Sequence, residues 1–311
     1  MIPPFDRMVK RLSGGFVLAF HEVPPARFIE LVETLSAFRI VPLSELVKRI
    51  SDGRSANGLF AITVDDGVGE TVRSLAGVLR AKGWPGTFYL PTAYIDSGGG
   101  MPFQWWRRIA PLLPARPIRH DGQIIDLSPK GALAGLSRRM EREWRTQRPE
   151  SYMPLLERLI EVASAEGGLT REQLQPAAAI TPAEIRALGR NDLIRFESHG
   201  ISHTAVSSMS PEGIAVEMQA SRDRVAELSG HPCRHFCYPF GSPESIGPIA
   251  PVIARRFYDS ATTMSLGSVD RGSLWLLPRI PLYPENSRIV AECKVVLSRY
   301  KKNERQPAAR A

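Results

Sequence analysis

Two aspartates stand side by side at the end of the apolar run "FAITVDDGVGE" (residues 60–70). Adjacent carboxylates repel one another unless a turn, a metal ion or an arginine relieves them. Further on, "ESHGISH" carries His199 and His203, four residues apart. On one helical turn that separation places both imidazoles on the same face, where a single metal ion can take both. One carboxylate and two imidazoles form a common ligand set for a divalent cation, with positions left for water and substrate. The other carboxylate would then be free to act as a base. Spacing alone does not assign the two roles.

The elements that must position these groups alternate along the chain. "FVLAF" (16–20) reads as a strand, and "ARFIELVETLSAF" as a helix with Phe28, Leu31, Val32 and Leu35 on one face. A short strand follows, then a helix with Ser44 as its N-cap and Gly53 as its stop. "GLFAITV" is a buried strand, "ETVRSLAGVLRAKG" a helix ended by Gly83, and "GTFYL" the next strand. The alternation breaks at about 98–178, where a turn-rich stretch with Trp105 and Trp106 precedes two amphipathic helices. We read that region as a helical insertion. Strands and helices then resume, beginning with a Thr181 N-cap and Pro182 at the first helical position. Roughly seven strands in strand–helix order suit either a barrel or a doubly wound α/β sheet. In both, functional groups gather at the carboxyl ends of strands. His21, the Asp65–Asp66 pair, Glu197 with His199, Tyr238 with Pro239, and Arg279 all follow such strands.

The 311 residues are 43% hydrophobic and 23% charged, enough for one large domain over 1–300 with a basic tail at 301–311. A net charge of +8 suits nucleic acid, acidic membranes or anionic polymers. The basic residues are scattered, however, and no nucleic-acid-binding signature accompanies them, so a nucleic-acid partner is not expected. No apolar run approaches a membrane span, and the basic start leads into a run too short for a secretory signal. The expected compartment is therefore the cytoplasm. Cys233, Cys237 and Cys293 form no disulfide framework. The alternation of Cys233, His235 and Cys237 reads as a strand rather than a zinc site.

With both motifs in view, the chain resembles the polysaccharide deacetylases, the chitooligosaccharide deacetylase homology domain of carbohydrate esterase family four. "TVDDG" (63–67) is similar to that family's T-F-D-D-G, and "HGISH" (199–203) to its H-[ST]-x-x-H, with Gly200 where Ser or Thr is usual. "CYPFG" (237–241) is similar to the Y-P-[YF]-G form of its third motif, otherwise R-x-P-Y. "AFHEV" and "PLSELVKRISDG" resemble branches found with capsule and exopolysaccharide synthesis. The similarity spans most of 15–290, the insertion excepted. It implies a distorted (β/α)7 barrel. It also implies a hydrolase that removes acetyl groups from an N-acetylated sugar or polysaccharide, with Asp66, His199 and His203 as metal ligands and Asp65 as general base. Mixed N/O ligands favour zinc, without excluding its neighbours in the series.

Two departures from the family pattern bear on mechanism. The third motif often supplies an arginine that pairs with the base, and "CYPFG" has none; Arg279 in "LPRIPLY" is the expected substitute. Members usually carry a late histidine as general acid, yet no histidine follows His235; His21 is the candidate replacement. Tyr238, Pro239 and Trp105 are expected at the substrate, with the Tyr238 N–H on the oxyanion, and Glu197 could orient a ligand imidazole. An O-acetyl esterase, a non-sugar amidase and a silent glycan-binding barrel are the rival functions.

Overall fold

Ten strands are assigned among the described residues: β1 (Phe16–Phe20), β2 (Arg39–Ile40), β3 (Leu59–Val64), β4 (Gly86–Leu90), β5 (Pro117–His120), β6 (Gln123–Asp126), β7 (Ile194–Ser198), β8 (His235–Cys237), β9 (Ser260–Thr262) and β10 (Ile280–Pro281). The computed structural model describes residues 14–146, 149–269 and 274–300; the basic tail at 301–311 lies outside the described residues. Eight strands pair in one sheet in the order β10-β1-β3-β4-β7-β8-β9, with β2 beside the start of β3, and every pairing in it is parallel. Leu277 bridges Thr262 while Ile280 pairs with Leu18, so one short segment touches both edges of the curled sheet. The result is a distorted (β/α)7 barrel. No helix among the described residues is long and apolar enough to cross a membrane.

Crossovers between parallel strands need helices outside the sheet. They are α1 (Pro25–Glu33), α2 (Leu43–Ser51) and α3 (Gly69–Lys82), then α4 (Thr92–Ser97) to α8 (Arg171–Leu174) between β4 and β7, and finally α9 (Pro182–Gly189), α10 (Pro211–Ser229), the short α11 (Pro243–Ile246) and α12 (Ala250–Ala254), and α13 (Arg288–Tyr300). Gly83 ends α3 in the left-handed conformation, and Thr181 caps α9 reciprocally with Glu184. Helix α2 starts at Leu43 behind Pro42, with no side-chain cap, so Ser44 lies inside it rather than at its cap. Between β4 and β7, α5 (Pro102–Ile109), α6 (Ala132–Thr146) and α7 (Pro149–Gly167) pack with the β5–β6 hairpin around a separate apolar cluster that includes Trp106, Met140, Trp144 and Leu156. The hairpin was not expected from the sequence.

Strand periodicity builds the site. Large side chains such as Leu18, Phe20, Ile62, Phe88 and Phe236 face the helices, whereas Val17, Ala61, Tyr89 and Cys237 fill the barrel. Following the inward positions in steps of two leads from Val17 to His21, from Ala61 to Asp65, and to His199 at the end of β7. The pleat therefore delivers all three groups to one rim.

Deeper in the barrel, His235 sets its Nδ1 2.9 Å from Ser260 Oγ, and its Nε2 has no partner among the described residues. Burial lowers its pKa to about 4 from an ordinary 6.5. The unfolded chain therefore takes up a proton between those values that the folded chain does not. Stability is full above pH 6.5 and falls toward pH 4, by roughly 3 kcal/mol for this group. His235→Asn is expected to flatten that limb by about one proton in denaturant midpoints measured from pH 7 to 4.5. An unchanged slope would mean the ring protonates freely in the folded protein.

Candidate active site

The two aspartates diverge because the backbone turns over between them. Asp65 ends the inward row of β3, its N–H donating to the Phe20 carbonyl at 2.9 Å. Asp66 (φ 76°) and Gly67 (φ 64°) then adopt left-handed conformations. Such a conformation is uncommon for a non-glycine residue and is found at sites where the surroundings hold it. The Gly67 carbonyl accepts from the Ile180 N–H at 2.9 Å, which ties the turn to the segment that leads into α9. The adjacent carboxylates thus serve two separate partners.

Asp65 faces Arg279. Its Oδ1 accepts from Nη1 at 2.8 Å and its Oδ2 from Nη2 at 2.7 Å, a bidentate pair with both side chains buried. The guanidinium also donates from Nε to the Thr263 carbonyl at 2.9 Å and from Nη1 to Thr63 Oγ1 at 3.1 Å. Its Nη2 lies 3.0 Å from Cys237 Sγ. Cys237 stands where R-x-P-Y would place its arginine, and the small thiol leaves the room that this guanidinium fills. Burial alone would push the Asp65 carboxyl up; the Arg279 charge and hydrogen bonds outweigh it and hold the group well below the usual carboxylate range.

Asp66 faces the histidines. Its Oδ1 lies 3.7 Å from His199 Nε2 and 3.5 Å from His203 Nε2. The imidazoles do not share a helical turn as the spacing suggested. Residues 199–203 form an irregular loop, with Gly200 at φ 80° and His203 at φ 54°. Glu217 on α10 holds that loop: its Oε1 accepts from the Ile201 and Ser202 N–H groups at 2.7 and 2.9 Å. From the other side, the Thr92 and Ala93 N–H groups at the start of α4 donate to the Gly200 and Ile201 carbonyls at 3.0 Å. A Cβ at position 200 would meet Glu217 Oε1 at 2.9 Å, so glycine in place of the usual Ser or Thr has a local physical reason.

The three side chains fit a divalent cation. Their ligand atoms all lie within 4.8 Å of one another. Two observed separations, 3.5 and 3.7 Å, are close to the roughly 3.3 Å edge of a tetrahedron with ligand distances near 2.0 Å. His199 Nδ1 is 2.8 Å from the Cys237 carbonyl, which accepts its proton and leaves the Nε2 lone pair for the site. Burial lowers the pKa of both histidines, which keeps them neutral as ligation requires. Burial, opposed by His199 and reinforced by Asp65, pushes the Asp66 carboxyl up to about 7, the mark of an anion that a cation would relieve. Asp65, His199 and Cys237 are also close enough to share an ion. There, however, Arg279 already occupies both Asp65 oxygens, and burial keeps the Cys237 thiol protonated.

Other expected residues fall in different places. His21 reaches the site, with Nε2 3.6 Å from Asp65 Oδ2. Tyr238 does not: it is fully buried, its hydroxyl donates to the Trp275 carbonyl at 3.0 Å, and its ring packs on Phe236 in the helix-facing core. Its N–H donates to the Thr262 carbonyl at 3.1 Å, so it does not serve as an oxyanion donor. Pro239 is buried in the same turn. Trp105 lies on α5 beneath the Arg171 guanidinium, whose Cζ is 4.9 Å from its ring centroid, and packs on the apolar cluster that holds Trp106 and Trp144. Glu197 does not touch an imidazole; its Oε2 accepts from the Arg234 and His235 N–H groups at 2.7 Å each. The rings that do stand at the site are Phe103, with its centroid 6.1 Å from that of His203, and Phe240, at 4.9 Å. Phe240 has φ 60°, and among the described residues its N–H has no protein acceptor.

The chain belongs to the polysaccharide deacetylase family, whose model matches residues 52–246, more than half of it. No curated protein matches significantly. Among solved structures, the deacetylase PplD from Streptococcus pyogenes in complex with acetate is 14% identical with a TM-score of 0.60, covering 92% of this chain and 98% of that one. A polysaccharide deacetylase from Bacillus cereus is 13% identical with a TM-score of 0.57, over 91% of this chain and 69% of that one. A de-N-acetylase from Aggregatibacter actinomycetemcomitans is 12% identical with a TM-score of 0.54, over 90% and 99%. At these identities the likeness speaks for the fold.

Proposed function

We propose that this protein is a metal-dependent deacetylase that hydrolyses the N-acetyl group of a sugar residue in a polysaccharide, and that it serves surface-polysaccharide synthesis. The observation that carries the reading is the placement of Asp66, His199 and His203 around one point beside a second carboxylate clamped by arginine. Zinc is the proposed ion, on the strength of two neutral imidazoles and one carboxylate. When bound, a divalent ion supplies Lewis-acid polarisation of the acyl oxygen and a lowered pKa for water. Asp65 accepts the proton of the attacking water. Arg279 fixes the Asp65 carboxylate in plane and keeps it ionised. The Phe240 N–H, in place of that of Tyr238, donates to the oxygen that becomes negative. His21, at the rim beside Asp65 and kept neutral by burial, takes up the proton that Asp65 removes from the water, passes it to the departing amine, and so fills the place of the missing late histidine. Retention of all three ligand residues together with Asp65 argues against a silent barrel, which has no chemical need for the whole set. The cytoplasm is the proposed compartment, in keeping with three cysteines that are all free.

The test is acetate release from N- and O-acetylated oligosaccharides by chelator-stripped protein, before and after zinc is returned. We expect no release from the stripped protein, recovery with zinc, and preference for the N-acetyl substrates. Full activity after stripping, with metal content verified as negligible, would refute metal dependence. Preference for O-acetyl substrates would replace the amidase by an esterase.

A further inference from the structure

We infer that the mouth of this site is built for an acidic glycan, one in which the acetylated sugar is neighboured by a residue bearing a carboxylate or a phosphate. The inference rests on the deacetylase reading and narrows its substrate. The two rings that pack on His203 come from separate elements, Phe103 from α5 and Phe240 from the turn after β8, and each carries a guanidinium. Arg107 Cζ lies 5.3 Å from the Phe103 centroid, and Arg145 Cζ lies 5.2 Å from the Phe240 centroid. Each positive charge is therefore only one ring away from a proposed metal ligand, at a distance suited to the sugars beside the reacting one.

Stacking on a ring engages the face of a guanidinium and leaves its edge, with the planar fork of N–H donors, for an anion. That fork matches carboxylate and phosphate oxygens in pairs. Each arginine is held elsewhere only by one solvent-exposed carboxylate among the described residues. The Arg107 side chain is 67% exposed, and its one ion-pair partner among the described residues is Glu22, at 3.2 Å in an exposed pair of the kind that a substrate anion readily displaces. Arg145 gives Nη2 to Glu141 one turn earlier on α6, at 2.8 Å, while its buried Nε has no acceptor among the described residues. A neutral sugar offers single hydroxyl acceptors to these donors, whereas a carboxylate or phosphate meets the fork in pairs and with opposite charge. The net charge of +8 adds a long-range pull on a polyanion.

The experiment compares kcat/KM for acetate release on three oligosaccharides of equal length at low salt: neutral N-acetylglucosamine, N-acetylglucosamine alternating with glucuronate, and a phosphodiester-linked N-acetylhexosamine. At least one anionic arm is expected to exceed the neutral arm by about tenfold or more, mainly through KM, and the two anionic arms identify which group is read. The advantage should shrink severalfold in about 0.5 M salt and approach unity in the Arg107→Gln/Arg145→Gln double variant. A neutral arm that equals the anionic ones, or an anionic preference that survives both substitutions, overturns the inference. If no arm releases acetate, the fault lies with the deacetylase reading. Calorimetric binding of the same oligosaccharides then decides the mouth separately. Anionic binding tighter than neutral and lost in the double variant upholds it, and equal binding refutes it.

Discussion

Asp65→Asn is expected to lower kcat for acetate release by about a thousandfold, within the range of 10²–10⁴ typical for removal of a general base. The substitution preserves shape and leaves Asp66, His199 and His203 in place, so zinc content should stay at the wild-type level. That combination separates the two adjacent aspartates: an Asp66 variant would lose metal and activity together. The reason to expect so large an effect is the state in which Asp65 is held. Two guanidinium N–H groups at 2.7 and 2.8 Å keep the carboxylate ionised and oriented inside a buried site. An amide keeps one acceptor and turns an N–H₂ toward the guanidinium. Acetate release and metal analysis on the same preparation check the expectation. Retention of more than about a tenth of kcat would mean that another group takes the proton.

Much of this site was legible in the sequence because strand geometry is regular. Once "FVLAF" and "FAITV" are read as strands, a period of two carries His21 and Asp65 to the same rim. What the spacing of His199 and His203 suggested was a helical turn, and that was wrong in form. The imidazoles converge from a loop that Glu217 and the start of α4 pin in place. Glu217 left no sequence signal, since a carboxylate in an amphipathic helix reads as solvated surface. The Arg279–Asp65 contact joins residues 214 apart, and only closure of the barrel brings them together. Tyr238 could have been excluded by counting. If Cys237 faces inward, its successor faces the helices, and the next ring able to reach the rim is Phe240. Trp105, expected at the substrate, turns away for a similar reason, and Phe103 two residues earlier on α5 stands beside His203 instead. Two residues on a helix lie about 200° apart, so only one of them faces the site.

Arg279→Met should cost about 3–5 kcal/mol of stability, because it strands the Asp65 carboxylate in the barrel with no counter-charge. The thioether approximates the stem of the arginine, so the lost charge rather than an empty cavity dominates the cost. The diagnostic is a double-mutant cycle with Asp65→Asn. Each single variant leaves one buried member of the pair uncompensated, whereas the double variant leaves two neutral groups. The double should therefore recover at least half of the sum of the single losses in denaturant midpoints. Arg279→Lys separates charge from geometry. A lysine restores the positive charge but offers no planar fork to hold both oxygens, so it should regain stability while kcat stays at least tenfold below wild type. Additive losses across the cycle would mean that the pair contributes independently to folding. Full activity in Arg279→Lys would mean that Asp65 needs only a nearby positive charge, and that its orientation is set by the strand that carries it.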